Sequence, residues 1–145
     1  MTYYDMDELI SIFKKYPTIF PKGYFAYLKG NLNKFITNNQ LIYEQGVILT
    51  WNDYKRATTL SDNFATKKGD YIIHQIVSSE QGNGNASKVL TQFLNSIGAN
   101  KSVWLSVRED NVRAINFYKR HDFEVVGEKS CSSDKIKGYI MCKII

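Results

Sequence analysis

Apolar residues recur at two different periods along this chain, and the switching between them outlines most of its elements. Asp5, with Glu8 three residues on, reads as a capping box, and Met6, Leu9, Ile10 and Phe13 follow at helical spacing until Pro17 stops the pattern. A second helical run over residues 24–36 puts Phe25, Leu28, Leu32, Phe35 and Ile36 on one face, with Gly30 inside it. Residues 41–44 and 47–51 flank Gln45 and Gly46 and predict a β-hairpin in which Gly46 takes the left-handed turn position. Residues 52–68 read as polar and irregular. Residues 71–77 are β-branched and mostly apolar, as a central strand should be, and end in a polar turn over 78–85. Val89, Leu90, Phe93, Leu94 and Ile97 then mark a helix over 86–97, stopped by Gly98. A second buried strand over 103–107 leads to a helix over 111–120 with Ile115 and Tyr118 at helical spacing. Residues 123–129 and 138–144 close the chain as a hairpin turning near Asp134.

The middle thus reads strand, turn, helix, strand, helix, which implies a parallel pair with a right-handed crossover, while the two hairpins add antiparallel strands. The expected class is mixed α/β (α+β), and 145 residues suit one domain over 1–145. Hydrophobic residues make up 43% of the chain, enough to fill a core and to exclude global disorder. The formal charge of +5 favours anionic ligands without naming them. The apolar runs are far shorter than the roughly 20 residues of a membrane span, so no membrane role is expected. The first residues lack a basic stretch followed by an apolar one, which favours the cytoplasm. Cys131 and Cys142 match no metal or redox spacing and lie at different heights of the closing hairpin, so they read as reduced and structural. With only His74 and His121 available and no cysteine cluster, no metal is expected.

Two segments carry candidate chemistry. Gln81, Gly82, Asn83, Gly84, Asn85 and Ala86 lie between a strand and a helix, where unsatisfied N–H groups and the helix dipole suit an anion. Gly84 lets a phosphate approach the backbone closely. The segment is neither a Walker A loop nor a G-x-G-x-x-G fingerprint. Read alone, it is equally a Gly-rich turn entering a helix. In the second segment Asn111 opens a helix and Tyr118 follows seven residues later on the same face. Read alone, Asn111 is a helix N-cap and Tyr118 a half-buried aromatic.

Together the segments resemble the GNAT superfamily of acyl-CoA-dependent N-acetyltransferases, most strongly over residues 70–128. The first family motif, R-or-Q, x, x, G, x, G-or-A, is met by Gln81, Gly84 and Ala86. The second, N, x, x, A, x, x, F, Y, is met by Asn111, Ala114, Phe117 and Tyr118. The resemblance implies a mostly antiparallel twisted sheet flanked by helices, with one parallel strand pair splayed around acetyl-CoA. It implies that the pantetheine arm pairs with the backbone of His74, Gln75 and Ile76 and contacts Asn111. The amides of Gln81 to Ala86, with Ser87, hold the pyrophosphate in that arrangement, and Tyr118 is the general acid for the leaving thiolate. Asp70 stands where one branch of the family has its glutamate base, and Ser106 where another does. Asp70 is therefore the first candidate base, with His74 and Glu80 as further candidates. Asn83 and Asn85 depart from the basic and aliphatic residues usual in the loop, and His121-Asp122-Phe123 departs from a Gly-Phe helix end.

The function so implied is transfer of an acetyl group from acetyl-CoA to a primary amine, on a small molecule or a peptide, by direct attack in a ternary complex. Two other readings compete with it. One is a basic nucleic-acid-binding or nucleic-acid-modifying protein, which the charge allows but no aromatic-and-basic motif supports. The other is a family member that binds CoA without turnover. Arg113, Lys119 and Arg120 read as a solvated basic helix face. Acceptor contacts are expected from residues 24–68 and 130–137.

Overall fold

A computed structural model describes residues 4–61, 64–130 and 137–145. In chain order the elements are α1 (Met6–Phe13), α2 (Phe25–Thr37), β1 (Leu41–Glu44), β2 (Val47–Asp53), β3 (Thr59–Ser61), β4 (Phe64–Ala65), β5 (Tyr71–Ser78), α3 (Asn85–Asn95), β6 (Ser102–Arg108), α4 (Val112–Arg120), β7 (Glu124–Ser130) and β8 (Lys137–Ile144). In hydrogen-bonding order the six-stranded sheet runs β1-β2-β5-β6-β8-β7. Its one described parallel pair is β5 with β6, and the hairpins β1–β2 and β7–β8 are antiparallel, as the succession of elements implies; β6–β8 is antiparallel as well. Among the described residues no helix is long and apolar enough to cross a membrane.

The chain gathers into two compact units, Met1–Trp51 with Gln75–Leu90, and Asn52–His74 with Thr91–Ile145. In the first, the Asp5 side chain accepts from the N–H groups of Asp7 and Glu8, so the expected cap starts α1. Leu9, Ile12 and Phe13 of α1 and Leu28 and Leu32 of α2 share one core with Leu41, Ile48 and Val77. Both Gln45 and Gly46 have positive φ, 52° and 74°, which is the backbone of a tight hairpin turn. A Cβ at Gly46 would also make the Ser79 hydroxyl turn aside.

In the second unit the segment read as irregular contains structure. β2 continues to Asp53, and β3 pairs with β4, Thr59 opposite Ala65. Thr66 stitches the base of this small ribbon: its N–H donates to the Thr58 carbonyl at 2.8 Å and its hydroxyl accepts from the Thr58 N–H at 3.0 Å. The expected turn near Asp134 and the residue Cys131 lie outside the described residues. Cys142 sits on β8 opposite both Trp104 and Glu124, and burial pushes its thiol up to about 11.

The parallel pair starts at Tyr71↔Val103 and Ile72↔Trp104. Immediately before it stands Asp70, 2% exposed. Its Oδ1 accepts from the Ser102 N–H at 3.0 Å, and its Oδ2 from the Lys67 N–H at 2.8 Å and the Trp104 indole N–H at 3.1 Å. One carboxylate thus ties the loop before β5 to the first residues of β6. In Asp70→Asn the amide group must face at least one of these three N–H donors. Stability is expected to fall by about 2 kcal/mol, the cost of a buried donor left unsatisfied, and by more in Asp70→Ala, as denaturant unfolding would measure.

Candidate active site

The first unit carries the anion-suited turn. Two residues that follow α1 anchor the end of β5: the Tyr16 hydroxyl donates to the Ser78 carbonyl, and Lys15 Nζ donates to the Ser79 carbonyl at 3.0 Å. The Ser79 N–H donates to the Gly46 carbonyl at 2.8 Å, and Thr50 Oγ1 donates to Gln75 Oε1 at 3.2 Å. The strand end is thereby held by residues 25 to 64 positions away, and nothing in their local pattern announces it. Gln75 and Ile76 are half-buried on this stretch.

Beyond the anchor, Gly82 and Gly84 have φ of 84° and 81°. Both are exposed, and a Cβ built on either would meet no protein atom within 4 Å. Space therefore lies open above a backbone that only glycine adopts easily, which is what a cradle for a phosphate requires. α3 begins at Asn85, one residue earlier than expected, and the Lys88 N–H closes its first turn on the Gly84 carbonyl at 3.2 Å. Asn83 Oδ1 accepts the Asn85 N–H at 3.0 Å, so one of the helix-start donors assigned to the pyrophosphate already has a side-chain partner. The Asn83 amide in turn donates to Glu80 Oε2 at 3.3 Å, and Asn85 Nδ2 to the Gln45 carbonyl at 3.3 Å. Ala86 and Ser87 are half-buried in the first turn, and Gln81 is exposed.

The second unit carries the acid–base candidates. The three donors on Asp70 take up both carboxylate oxygens in a buried position, which leaves it little capacity to accept a proton from an arriving amine. The geometry speaks against it as the base. His74 Nε2 lies 2.6 Å from Asn52 Oδ1, and burial of the ring lowers its pKa although the residue keeps an exposed edge. Ser106 is exposed on β6 between the buried Leu105 and Val107.

Asn111 is an N-cap: its Oδ1 accepts from the Ala114 N–H at 3.3 Å, which leaves the amide NH2 outside the cap. Tyr118, two turns on, is 7% exposed, and burial raises its pKa well above the usual phenol value, so it holds its proton at neutral pH. Its place is set by the way α4 ends. Asp122 has a φ of 66°, its N–H donates to the Lys119 carbonyl at 3.0 Å, and the Phe123 N–H donates to the Tyr118 carbonyl at 3.1 Å. This is a Schellman motif, with the Phe123 and Tyr118 rings 5.6 Å apart as its apolar contact. Asp122 thus does take the left-handed position that glycine usually fills, and the turn it makes brings the Phe123 N–H and ring onto the carbonyl and the ring of Tyr118.

A model of the Acetyltransferase (GNAT) family matches residues 44–123, more than half of the chain. No curated protein sequence matches it. Among solved structures, a GNAT-family acetyltransferase from Streptococcus agalactiae is similar with a TM-score of 0.71 at 14% identity, covering 100% of this chain and 94% of that one. Ard1 from Thermoplasma volcanium gives 0.69 at 22% identity, covering 99% and 95%. Chaetomium thermophilum Naa20, in complex with a bisubstrate analogue, gives 0.66 at 16% identity, covering 81% and 73%. These likenesses are likenesses of fold.

Asp122→Gly removes the Cβ from a left-handed backbone, and the Lys143–Asp122 ion pair it gives up, 3.6 Å long with the Asp side chain 87% exposed, contributes little. Stability is expected to rise by on the order of 0.5–1 kcal/mol in thermal unfolding. A fall would show that the ion pair outweighs the backbone strain.

Proposed function

The chain belongs to the GNAT acetyltransferase family, and from that premise we propose that it moves the acetyl group of acetyl-CoA to a primary amine by direct attack in a ternary complex. The observation that carries the reading is the turn from Gln81 to Ala86, where two left-handed glycines open to solvent lead into a helix start. Its backbone N–H groups suit a pyrophosphate, and the Asn85 donor becomes available when Asn83 releases it. The backbone of His74, Gln75 and Ile76 would pair with the pantetheine arm, and Ser87 and the Asn111 amide would add side-chain contacts. Bound acetyl-CoA supplies an activated thioester, and the protein's own residues do the positioning and the proton transfer.

Tyr118 suits the role of acid. A phenol whose pKa burial has raised stays protonated at neutral pH, and it gives up its proton only to a stronger base such as a freshly expelled thiolate. The Schellman clamp keeps that hydroxyl from wandering, which matters because proton transfer requires hydrogen-bond reach. For the acceptor we propose an amine on a peptide or small molecule, in keeping with a neighbour captured with a bisubstrate analogue.

Calorimetric titration with acetyl-CoA tests the reading. The native chain is expected to bind in the micromolar range, and Gly84→Val, which puts a β-branched side chain at a φ of 81°, to lose binding by at least about tenfold. A folded native chain that binds no acetyl-CoA would overturn the proposal. Tyr118→Phe is expected to keep binding and to lose transfer by about 10²-fold, the lower end of what a general acid contributes. Unchanged turnover in that variant would remove Tyr118 from the chemistry.

A further inference from the structure

The chain's surplus positive charge is confined to one stretch. From Leu9 to Tyr43 every charged residue is a lysine, namely Lys14, Lys15, Lys22, Lys29 and Lys34, and the other fourteen basic residues of the chain are balanced by fourteen acidic ones. The entire formal charge of +5 therefore resides on the end of α1, the segment after it and α2. All five lysines are exposed, and among the described residues none makes an ion pair. The acidic residues nearest in sequence stand apart from them. Asp5, Asp7 and Glu8 begin α1, roughly 9 Å or more of helix from Lys14 and so about a Debye length away at physiological salt, and Glu44 ends β1.

The fold distributes these cations along α2. The Lys14 ammonium lies 6.0 Å over the ring of Phe25, the first residue of the helix. Lys22 opens the turn that leads into it, where the Tyr24 N–H donates to the Pro21 carbonyl at 2.8 Å. Lys29 follows mid-helix and Lys34 in the last turn. The first turn holds no acidic residue and no side-chain cap, so the helix dipole adds to the lysine field there. Leu28 and Leu32 are buried, whereas Tyr27, Gly30 and Lys34, at helical spacing, share the outward side. Tyr27 is 75% exposed, and a Cβ on Gly30 would meet nothing beyond the helix itself within 4 Å. This side thus offers one free ring, a bare strip of backbone and a row of ammonium groups over about 20 Å.

Three kinds of anionic partner compete for such a surface, and the side chains select among them. A membrane needs an apolar face that can enter it, but Leu28 and Leu32 face the core, and Ile19 and Tyr27 stand out singly. A nucleic acid strand is best held by arginine and by rings free to stack. The stretch has no arginine, and its Phe13, Phe20, Tyr24 and Phe25 rings pack on one another with centroids 5.0 to 6.0 Å apart. An acidic peptide needs neither, because separate carboxylates are matched by separate lysines. We propose that this side of α2 docks an acidic peptide segment with Tyr27 as its anchor, and that the segment is the one carrying the acceptor amine. The docking stands by itself, whereas the acceptor role rests on the acetyl-transfer reading above.

Two readouts on the full chain test this. The first is fluorescence anisotropy of a labelled, N-blocked decapeptide of alternating Glu and Ser, beside its Gln and Ser counterpart. The native chain is expected to hold the Glu peptide at least about tenfold more tightly at low salt, with the advantage shrinking as salt rises. Lys29→Glu/Lys34→Glu is expected to lose at least about tenfold, and Tyr27→Ala about fivefold with the salt dependence kept. Lys119→Glu/Lys129→Glu makes the same change of net charge in the second unit and is expected to bind like the native chain. Equal affinity for the two peptides, or equal losses in the two double variants, overturns the docking. Tighter binding of decauridylate or of phosphatidylserine vesicles, lost in Lys29→Glu/Lys34→Glu, overturns it in favour of a nucleic acid or a membrane. The second readout is acetylation of the same peptides with free α-amines. The Glu peptide is expected to lead by about tenfold in kcat/KM, through KM, and Lys29→Glu/Lys34→Glu to shift the preference to an Arg and Ser peptide. No preference for the Glu peptide where docking persists overturns the acceptor role alone. A native chain that binds no acetyl-CoA overturns the acetyl-transfer reading and the acceptor role with it, and not the docking.

Discussion

A single buried carboxylate sets the geometry on which the second unit is built. Asp70 gathers a loop amide, a strand amide and an indole N–H onto two oxygens just where the parallel pair begins. Parallel strands cannot be joined by a tight turn, so their register must come from contacts distant in sequence, here 32 and 34 residues apart. Burying this carboxyl group is tolerable because three N–H donors meet its two oxygens. What looks like a catalytic carboxylate from its position at the head of a strand is better understood as the peg that holds the strand.

Much of this was legible in the chain itself, and the reason is that the relevant signals are local. The capping of α1 by Asp5, the Gln45-Gly46 turn, and the succession of β5, α3, β6 and α4 each follow from residues within a few positions of one another. The ribbon of β3 and β4 escaped because strands of three and two residues are too short to display a period of two. Asp122 stands where a Gly-Phe helix end is usual, and Asp takes the left-handed region less easily than Gly. It occupies that region because Asp is among the residues that tolerate it and because the Phe123–Tyr118 contact rewards the turn. The site was legible as motif and not as partnership. Asn111 and Tyr118 announce themselves by spacing, but Tyr16 with Ser78 and Asn52 with His74 are pairs that only the folded chain makes.

The anion-suited turn also shows what a departure from a family pattern can mean physically. Asn83 stands where a basic residue is usual, and its side chain serves as a stand-in acceptor for the helix start. The loop is thereby preorganised: the donor points outward, the glycines hold the bend, and Lys15 and Tyr16 fix the strand that leads into it. A ligand oxygen would exchange one hydrogen bond for another at that amide, so its gain there is smaller than at a bare N–H. The charge of the helix start remains the larger attraction.

Cys142 acquires a meaning from its surroundings on β8. Disulfides in solution exchange with any protein thiolate within reach. With its pKa pushed up to about 11, Cys142 is ionised in roughly one molecule in ten thousand at pH 7, against a few per cent for an ordinary cysteine. The burial that packs β8 against its neighbours therefore also keeps this thiol in its less reactive, protonated form.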